Sequence, residues 1–251
     1  EAFLDVTENK INVRFATMIA KEIKQKIFDH TKLTATAGVS YNKFLAKVAS
    51  GMNKPDGLTV VTPEIAEEFI DKLPIGNFFG IGKVTEQKMK SLGIHTGLDL
   101  KKFGEAALIK YFGKSGFFYY NIAHGKDDRP VENTHIAKSV GAENTFEIDL
   151  LDISLIKNEI DSIAKNVSLR LEKRNVKGRT ITLKIKYENF EAITRSRSDS
   201  FYTDNFQHIR DIATDLLKQT EAGKRKIRLI GISISNLNNI EKPKTNSQLE
   251  L

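Results

Sequence analysis

The 251-residue sequence lacks cysteine and lacks the apolar run of about 18 residues that a membrane-spanning helix needs. Without cysteine, the chain can form neither disulfides nor thiolate metal sites, which is consistent with a reducing, cytoplasmic compartment. The basic stretch followed by an apolar stretch that marks a signal peptide is also absent, and residue 1 is a glutamate. These absences predict a cytoplasmic protein with no membrane partner.

Positive charge is in excess and is unevenly distributed. The formal net charge is +7, and the sequence pI is about 9.3. Between Lys165 and Arg197 there are ten Lys or Arg but three acidic residues. A basic surplus concentrated in one region favours a polyanionic partner.

The hydrophobic pattern divides the chain into three blocks. Residues 1–61 alternate predicted strands (1–6, 33–39 and 58–61) with predicted helices (11–28 and 42–52), as in an α/β unit. Residues 62–127 are all-helical, with helices predicted at 64–73, 83–92 and 105–123. After a polar segment predicted to be a linker (128–137), residues 138–240 follow the order β-α-β-β-α-β, and 241–251 form a tail. The predicted fold is therefore multidomain α+β.

The most specific local motif is Gly80-Ile81-Gly82, which opens the helix predicted from Lys83. The amides of Gly82, Lys83 and Val84 should lack partners at this helix start, where a phosphate is attracted by the amides and the helix dipole. This pattern favours a helix-hairpin-helix that holds the DNA backbone over a plain interhelical corner. A weaker second copy is "YFGKSGFFYY", residues 111–120, in which the segment from Gly113 to Gly116, including Lys114, is predicted to precede a helix. A simple interhelical turn is an equally good interpretation there.

Basic residues alternate along two predicted strands. Lys184 and Lys186 lie opposite the apolar Ile181, Leu183 and Ile185, and Arg195 and Arg197 alternate with serines. Sheet faces lined with Lys, Arg, Ser and Thr suit contacts to a phosphate backbone. The alternative is an ordinary solvated face, and the clustering of basic residues favours DNA.

Two further features are weak by spacing alone. Glu1 and Asp5 would share one face of the opening strand, and such a carboxylate could bind Mg²⁺, although a surface acid is the simpler interpretation. Lys54 lies in a turn before Pro55, where it could reach a triphosphate, although a solvated turn lysine is the simpler interpretation.

Five stretches together resemble the Y family of translesion DNA polymerases. They are "EAFLDVT", "GVSYNKFLAKVASGMNKPDG", "LPIGNFFGIGKVTEQKMKSLGI", "GKDDRPV" and "KSVGAENTF". They occur in the family's order and are distributed from residue 1 to residue 146. The resemblance implies that 1–61 is the C-terminal part of a partial palm, 62–127 the thumb with its helix-hairpin-helix, and 138–240 the little finger.

The resemblance also implies residue roles. Glu1 matches a metal-binding carboxylate of the palm, which in the complete enzyme acts with two Mg²⁺ ions. Lys54 matches the lysine that contacts the triphosphate of the incoming deoxynucleotide, and Gly80, Gly82 and Lys83 match the thumb hairpin on DNA. Lys138, at the start of the fifth stretch, joins the predicted DNA contacts. The terminal Gln248, Leu249 and Leu251 resemble the family's sliding-clamp peptide.

These matches predict a bacterial, monomeric DNA-directed DNA polymerase that binds primer-template DNA and deoxynucleoside triphosphates. The fingers and the other metal carboxylates of the family have no match in these 251 residues. The chain is therefore expected to be an N-terminally truncated piece that is inactive alone. The alternative is a non-catalytic module that binds the DNA backbone.

Overall fold

The computed structural model describes residues 1–9, 13–132 and 136–238 of the chain. They form two compact units, Glu1–Asn133 and Thr134–Leu251. Both mix or alternate helices and strands, so the predicted α+β class is confirmed. The palm, thumb, linker and little-finger boundaries stay predictions.

The first unit begins with a βαβ element. Its sheet pairs two short parallel strands, which a helix connects, and a longer helix precedes them. Parallel pairing follows because the connecting helix carries the chain back between the strands. The elements are α1 (Ala16–Thr31), β1 (Ala37–Ser40), α2 (Lys43–Gly51) and β2 (Leu58–Val61).

Among the described residues of this unit, five further helices and one short 3₁₀ turn follow. The turn, Ile75–Asn77, precedes the Gly80-Ile81-Gly82 segment, which we call the glycine hairpin. The helices are α3 (Pro63–Lys72), α4 (Lys83–Ser91), α5 (Gly97–Phe103), α6 (Glu105–Phe112) and α7 (Lys114–Ala123). The core of the unit joins α2 to the segment before the hairpin, because the rings of Phe44 and Phe78 lie 5.4 Å apart.

Two helix predictions in this unit needed correction. The helix predicted at 105–123 is two helices, because Gly113 between them takes a positive φ of 59° that a continuing helix cannot contain. Helix α5 was not predicted. It begins with a capping box, in which Thr96 and Asp99 hydrogen-bond each other's backbone amides.

The strand predicted at 1–6 is wrong. These residues form no ladder, and Asp5 accepts a hydrogen bond from the amide of Thr7 at 3.0 Å. An alternating sequence becomes a strand only where another strand offers its backbone, and in the described chain β1 and β2 pair with each other alone. Glu1 and Asp5 therefore do not share the face of a strand.

The second unit follows the predicted order. In the part of this unit that the structure describes, four strands form one antiparallel sheet whose spatial order is first, fourth, second and third along the chain, and two helices cover one face of it. Side chains alternate between this covered face and an open face. The elements are β3 (Ser139–Leu150), α8 (Ile153–Lys173), β4 (Gly178–Tyr187), β5 (Ala192–Thr203), α9 (Phe206–Leu217) and β6 (Ile227–Leu237).

Within the described residues, every helix is too short or too polar to cross a membrane.

Candidate nucleic-acid interface

The glycine hairpin before α4 has two glycines with different roles. Gly80 takes a φ of +94°, and a Cβ there would lie 3.1 Å from the Phe118 ring. Gly82 has a φ of −84°, which any residue adopts, and a Cβ there would meet no atom within 4 Å. The fold therefore requires glycine at 80 but not at 82. A bare backbone at Gly82 instead leaves room for an external group to approach closely.

The start of α4 leaves backbone donors free. Gly82 is the N-cap residue and provides no side-chain acceptor. Among the described residues, the amides of Gly82, Lys83 and Val84 have no acceptor, and Val84 is exposed. Free amides at the positive end of a helix dipole form an anion-binding surface, to which the exposed Lys83 adds a full charge.

The second glycine segment, at the start of α7, differs in its packing. A Cβ on Gly116 would lie 2.2 Å from the carbonyl oxygen of Leu108, so this glycine allows α6 and α7 to approach each other. Lys114 is exposed at the first position of α7. The packing explains Gly116 without a ligand, which favours the simple turn here. The DNA role of Lys114 stays a prediction.

Helix α2 is anchored by residues distant in sequence. The Asn42 side chain caps α2 by accepting from the Leu45 amide, and it donates to the Gly125 carbonyl oxygen at 2.8 Å. The Asp127 carboxylate accepts from the Phe44 amide at 2.9 Å and holds both Nε and Nη2 of Arg129, at 2.6 and 2.8 Å. The last residue of the predicted helical block, Asp127, thus ties the chain just before the predicted linker to the start of α2.

The groups around Asp127 stabilise its negative charge. Its side chain is 2 % exposed, and this burial by itself would raise the pKa of the carboxyl. The hydrogen bond and charge of Arg129, together with the amides of Arg129 and Phe44, outweigh burial and hold the pKa below its ordinary value. Asp127 is therefore ionised near neutral pH, as a helix-start acceptor should be.

Glu1 lies beside the lysines of α2 and the following turn. Lys47 Nζ is 2.5 Å from Glu1 Oε2, and the Glu1 side chain is 51 % exposed. The hydrogen bond from Lys47 holds the pKa of the Glu1 carboxyl below its ordinary value, and the charge of the exposed Lys54 acts in the same direction. The structure thus places Glu1 and Lys54 in one electrostatic environment.

This group is not a complete metal site. In the described part of the chain, no three His, Cys, Asp or Glu side chains come together, and the nearest charged partner of Glu1 is the cation Lys47. Mg²⁺ is bound by carboxylates and other oxygen ligands, so these residues could supply one ligand and not the whole set.

The open face of the second unit's sheet is polar and poor in acids. Register places Lys184 and Lys186 on this face, with glycine, leucine and alanine at four further positions. Glu143 is the one acid among the paired positions of the face, and its Oε2 lies 2.8 Å from Lys184 Nζ. The remaining positions are hydroxyl residues: Ser139, Thr145, Thr180, Thr182, Thr194, Ser196, Ser198, Ser233 and Ser235.

Arg195 and Arg197 do not point from the open face. They pair with Leu183 and Ile181, whose side chains are buried under the helices, and directly opposite residues share a face. Both stay accessible because β5 is an edge strand. Arg197 lies 3.6 Å from Asp215 and 4.0 Å from Asp199, whereas Arg195 Nη1 donates to the Thr194 carbonyl oxygen. Arg195 and Arg197 thus share one face of β5, as predicted, but it is not the face that carries Lys184 and Lys186.

The remaining predicted contact residues are Lys138 and three residues of the tail. Lys138 is exposed just before β3. Gln248, Leu249 and Leu251 lie outside the described residues. Sequence reasoning missed the anchoring by Asp127 and Arg129, although the stretch "GKDDRPV" was noticed, because a contact between residues 44 and 127 has no local signature.

Family models match three parts of the chain. The impB/mucB/samB family matches residues 1–51, the HHH motif of the same family matches 63–94, and its C-terminal domain matches 137–251.

Curated relatives and solved structures agree with these matches. The chain is 49 % identical over 238 residues to "DNA polymerase IV" of Clostridioides difficile, covering 94 % of this chain and 65 % of the relative. It is 43 % identical over 251 residues to "DNA polymerase IV 2" of Agrobacterium fabrum, covering all of this chain and 70 % of the relative. A solved Y-family DNA polymerase chimera of Dbh and Dpo4 superimposes with a TM-score of 0.78 at 28 % identity, covering 94 % of this chain and 68 % of that one.

Proposed function

The chain belongs to the Y family of DNA polymerases, and we propose that the whole protein is a template-directed translesion DNA polymerase in which these residues hold the DNA. The chain spans 65 % of the Clostridioides difficile relative, so the activity is proposed for the whole protein. A solved relative described as an insertion ternary complex of Dbh DNA polymerase supports the proposal, with a TM-score of 0.52 and 27 % identity over 88 % of this chain and 63 % of that one.

The open sheet face carries the DNA-binding part of the proposal. Nine hydroxyl residues and two lysines line it, with one acid among its paired positions. Hydroxyl and ammonium groups donate to phosphate oxygens without reading base sequence. The free amides of Gly82, Lys83 and Val84 offer a second phosphate contact of the same sequence-independent kind. Lys138, Arg195 and Arg197 add accessible positive charge, and we propose that they contact the backbone as well.

The proposed contacts to the incoming nucleotide and its metal ions rest on the resemblance, together with the positions of Lys47 and Lys54 around Glu1. We propose that Lys54 contacts the triphosphate of the incoming deoxynucleotide and that Glu1 supplies one ligand of a two-Mg²⁺ site completed by other parts of the protein. The ions would stabilise charge on the transferred phosphoryl group. In the structure Lys47 forms an ion pair with Glu1, and this pair favours the ionised form of the Glu1 carboxylate.

Three further parts of the proposal concern the setting of the enzyme. We propose that Gln248, Leu249 and Leu251 bind the sliding clamp, that the protein is a monomer, and that it acts in DNA-damage bypass in the bacterial cytoplasm. Clamp binding is tested by titrating a peptide of the last residues against purified clamp. Replacement of Leu249 and Leu251 with alanine should abolish that binding.

A salt titration tests the DNA grip of the 251-residue chain. If it neutralises roughly five phosphates, the logarithm of its affinity for duplex DNA should fall with log salt at a slope of about −4 to −5. Affinities for unrelated sequences should agree closely, because backbone contacts carry no sequence information. A flat salt response would overturn the DNA-backbone role.

Primer extension tests the polymerase activity. The full-length gene product should extend a primer on its template, whereas the 251-residue chain should bind the same DNA without extending it. Extension by the 251-residue chain would contradict its predicted inactivity. Tight DNA binding by a full-length product that never extends a primer would instead favour the non-catalytic DNA-binding module.

A further inference from the structure

The turn between β4 and β5 holds an aromatic residue in an unusual backbone conformation. Phe190 has a φ of +66°, and the other non-glycine residues with positive φ in the described chain are Asn, Asp or Lys. The amide of Phe190 donates to the Tyr187 carbonyl oxygen at 2.9 Å, which closes a four-residue β-turn, and the amide of Tyr187 donates to the Glu191 carbonyl oxygen at 2.9 Å. The last position of such turns usually holds glycine, since an L-side chain costs about 1–2 kcal/mol there.

Burial does not compensate for this strain. Phe190 is 64 % exposed, so its ring gains little from the hydrophobic effect. Backbone strain of this kind persists where the surrounding structure enforces it, and it is concentrated at functional positions.

The rest of the turn is held rigidly by one arginine. Arg225 Nη1 lies 2.9 Å from Glu191, its Nη2 donates to Asn189 at 2.9 Å, and its Nε lies 3.8 Å from Glu188. The guanidinium also lies 4.0 Å from the centroid of the Tyr187 ring. Every other residue of the turn is therefore directed toward Arg225.

Two cations flank the exposed ring. Arg228 Cζ lies 4.7 Å from the ring centroid of Phe190, and Lys186 Nζ lies 6.0 Å from it. Arg228 is oriented by Asp149, 3.5 Å away, whereas among the described residues no carboxylate lies within ion-pair distance of Lys186. Since Lys186 belongs to the open face, the ring stands at one end of that face.

We propose that Phe190, Lys186 and Arg228 form a binding site for single-stranded DNA, in which an unpaired base stacks on the phenyl ring and the cations contact adjacent phosphates. An aromatic ring can stack only on a base face that no neighbouring base covers, so an unpaired nucleotide fits and the interior of a duplex does not. This inference rests on the proposed DNA-binding function of the open face and adds a second kind of DNA to it.

Two substitutions at Phe190 test the site. Phe190→Asn removes the ring, while asparagine tolerates the positive φ of the turn. Phe190→Trp keeps an aromatic ring and introduces one tryptophan into a chain that has none. Phe201→Asn is the matched control, because Phe201 is also an exposed aromatic residue of the same unit, on β5, with its ring against His208 instead of two cations.

The measurement compares labelled oligothymidylate of about 12 nucleotides with a long blunt duplex by fluorescence anisotropy. F190N should weaken single-strand binding by about fivefold or more and duplex binding by less than about twofold, with an unfolding temperature no lower than that of the parent. F201N should change neither affinity by more than about twofold. Oligothymidylate should quench the indole fluorescence of F190W, and duplex should not.

The possible outcomes distinguish a failure of the single-strand site from a failure of the proposed DNA-backbone binding. If the parent chain bound duplex with a steep salt dependence but F190N left single-strand binding intact, or the F190W indole were not quenched, the single-strand site would be wrong and the backbone role would stand. Equal losses on both probes would also overturn the single-strand site. If the parent chain bound neither probe, the proposed function would fail and this inference with it.

Discussion

The hairpin before α4 and the open sheet face present different chemical groups to the DNA backbone that we propose as their common ligand. At the hairpin the donors are backbone amides exposed by a helix start, and Gly82 is bare where the fold does not require it. On the sheet the donors are side chains that the strand register aligns. Removing side chains should therefore impair the sheet, whereas only the addition of a side chain should impair the hairpin.

The two surfaces also differ in what supports them. The hairpin packs on α2 through Phe78 and Phe44, and α2 is anchored by Asp127, which is 83 residues away in sequence from Phe44. The sheet is supported by hydrogen bonding between neighbouring strands and by a core of its own. Each difference can be tested by a substitution that affects one surface and spares the other.

The largest expected effect is the loss of the Asp127 anchor. Asp127→Asn removes the carboxylate charge that strengthens the hydrogen bond from the Phe44 amide and pairs with Arg129. The substitution should lower the free energy of unfolding of the first unit by about 2 kcal/mol. Unfolding of the second unit should be unchanged. Hydrogen exchange, which separates the two units, is the appropriate measurement, and the exposed neighbouring substitution Asp128→Asn is the control. A uniform loss across both units would contradict the comparison.

The pH dependence of this effect has a defined sign. The folded-state pKa of Asp127 is depressed below its ordinary value of 3.8. Its contribution is therefore fully present above that value and is lost as the pH falls through the lower folded pKa. The stability difference between the parent and D127N should be constant from neutral pH to about pH 5 and should shrink below the ordinary pKa. A difference that grew on acidification would refute this assignment.

The next effect separates stability from binding at the hairpin. Gly82→Asp introduces a carboxylate at the N-cap. It should stabilise α4 by a few tenths of a kcal/mol, because the carboxylate accepts hydrogen bonds from the free backbone amides. The same charge should repel phosphate and weaken duplex binding by about tenfold. Thermal unfolding and anisotropy measure the two quantities. Gly82→Ser caps without a charge and should retain more affinity. Parallel changes in stability and affinity would mean that these amides do not bind DNA.

On the sheet, one substitution should increase affinity. Glu143→Gln removes the one acid among the paired positions of the open face and releases Lys184 from its 2.8 Å ion pair. Duplex binding should strengthen by about threefold at low salt, and the gain should disappear at high salt because it is electrostatic. Glu159→Gln, on α8, is the control, since helices cover the opposite face. A loss of affinity in E143Q would show that the carboxylate orients Lys184 for binding.

The smallest expected effect compares two arginines on the same strand. Arg195→Gln should reduce the magnitude of the salt slope by about one. Arg197→Gln should reduce it by less, because Asp215 and Asp199 already compensate part of that charge. A twofold difference between the two affinities is about the size expected, and anisotropy over a salt series resolves it. Equal effects would show that the acids release Arg197 on binding.

Much of this protein was predictable from local sequence. The β-α-β-β-α-β order follows from periods of two and 3.6 residues, because those periods decide which face of an element is buried. The glycine hairpin was equally visible, since Gly80, Gly82 and the helical pattern after them all lie within one short stretch of sequence. The Phe190 turn gave no such signal, because a phenylalanine at a glycine position is unusual only once the backbone angle is known.

What only the tertiary structure decided are the relations between distant segments. The opening residues alternate like a strand but form no ladder, because a strand needs a partner's backbone that local pattern cannot supply. Arg195 and Arg197 alternate as predicted, but their face depends on pairing with Leu183 and Ile181, which only the register fixes. The Asp127 contact with α2 likewise arises when the chain folds back on itself. Periodicity thus determined the elements, and pairing between them determined which residues meet.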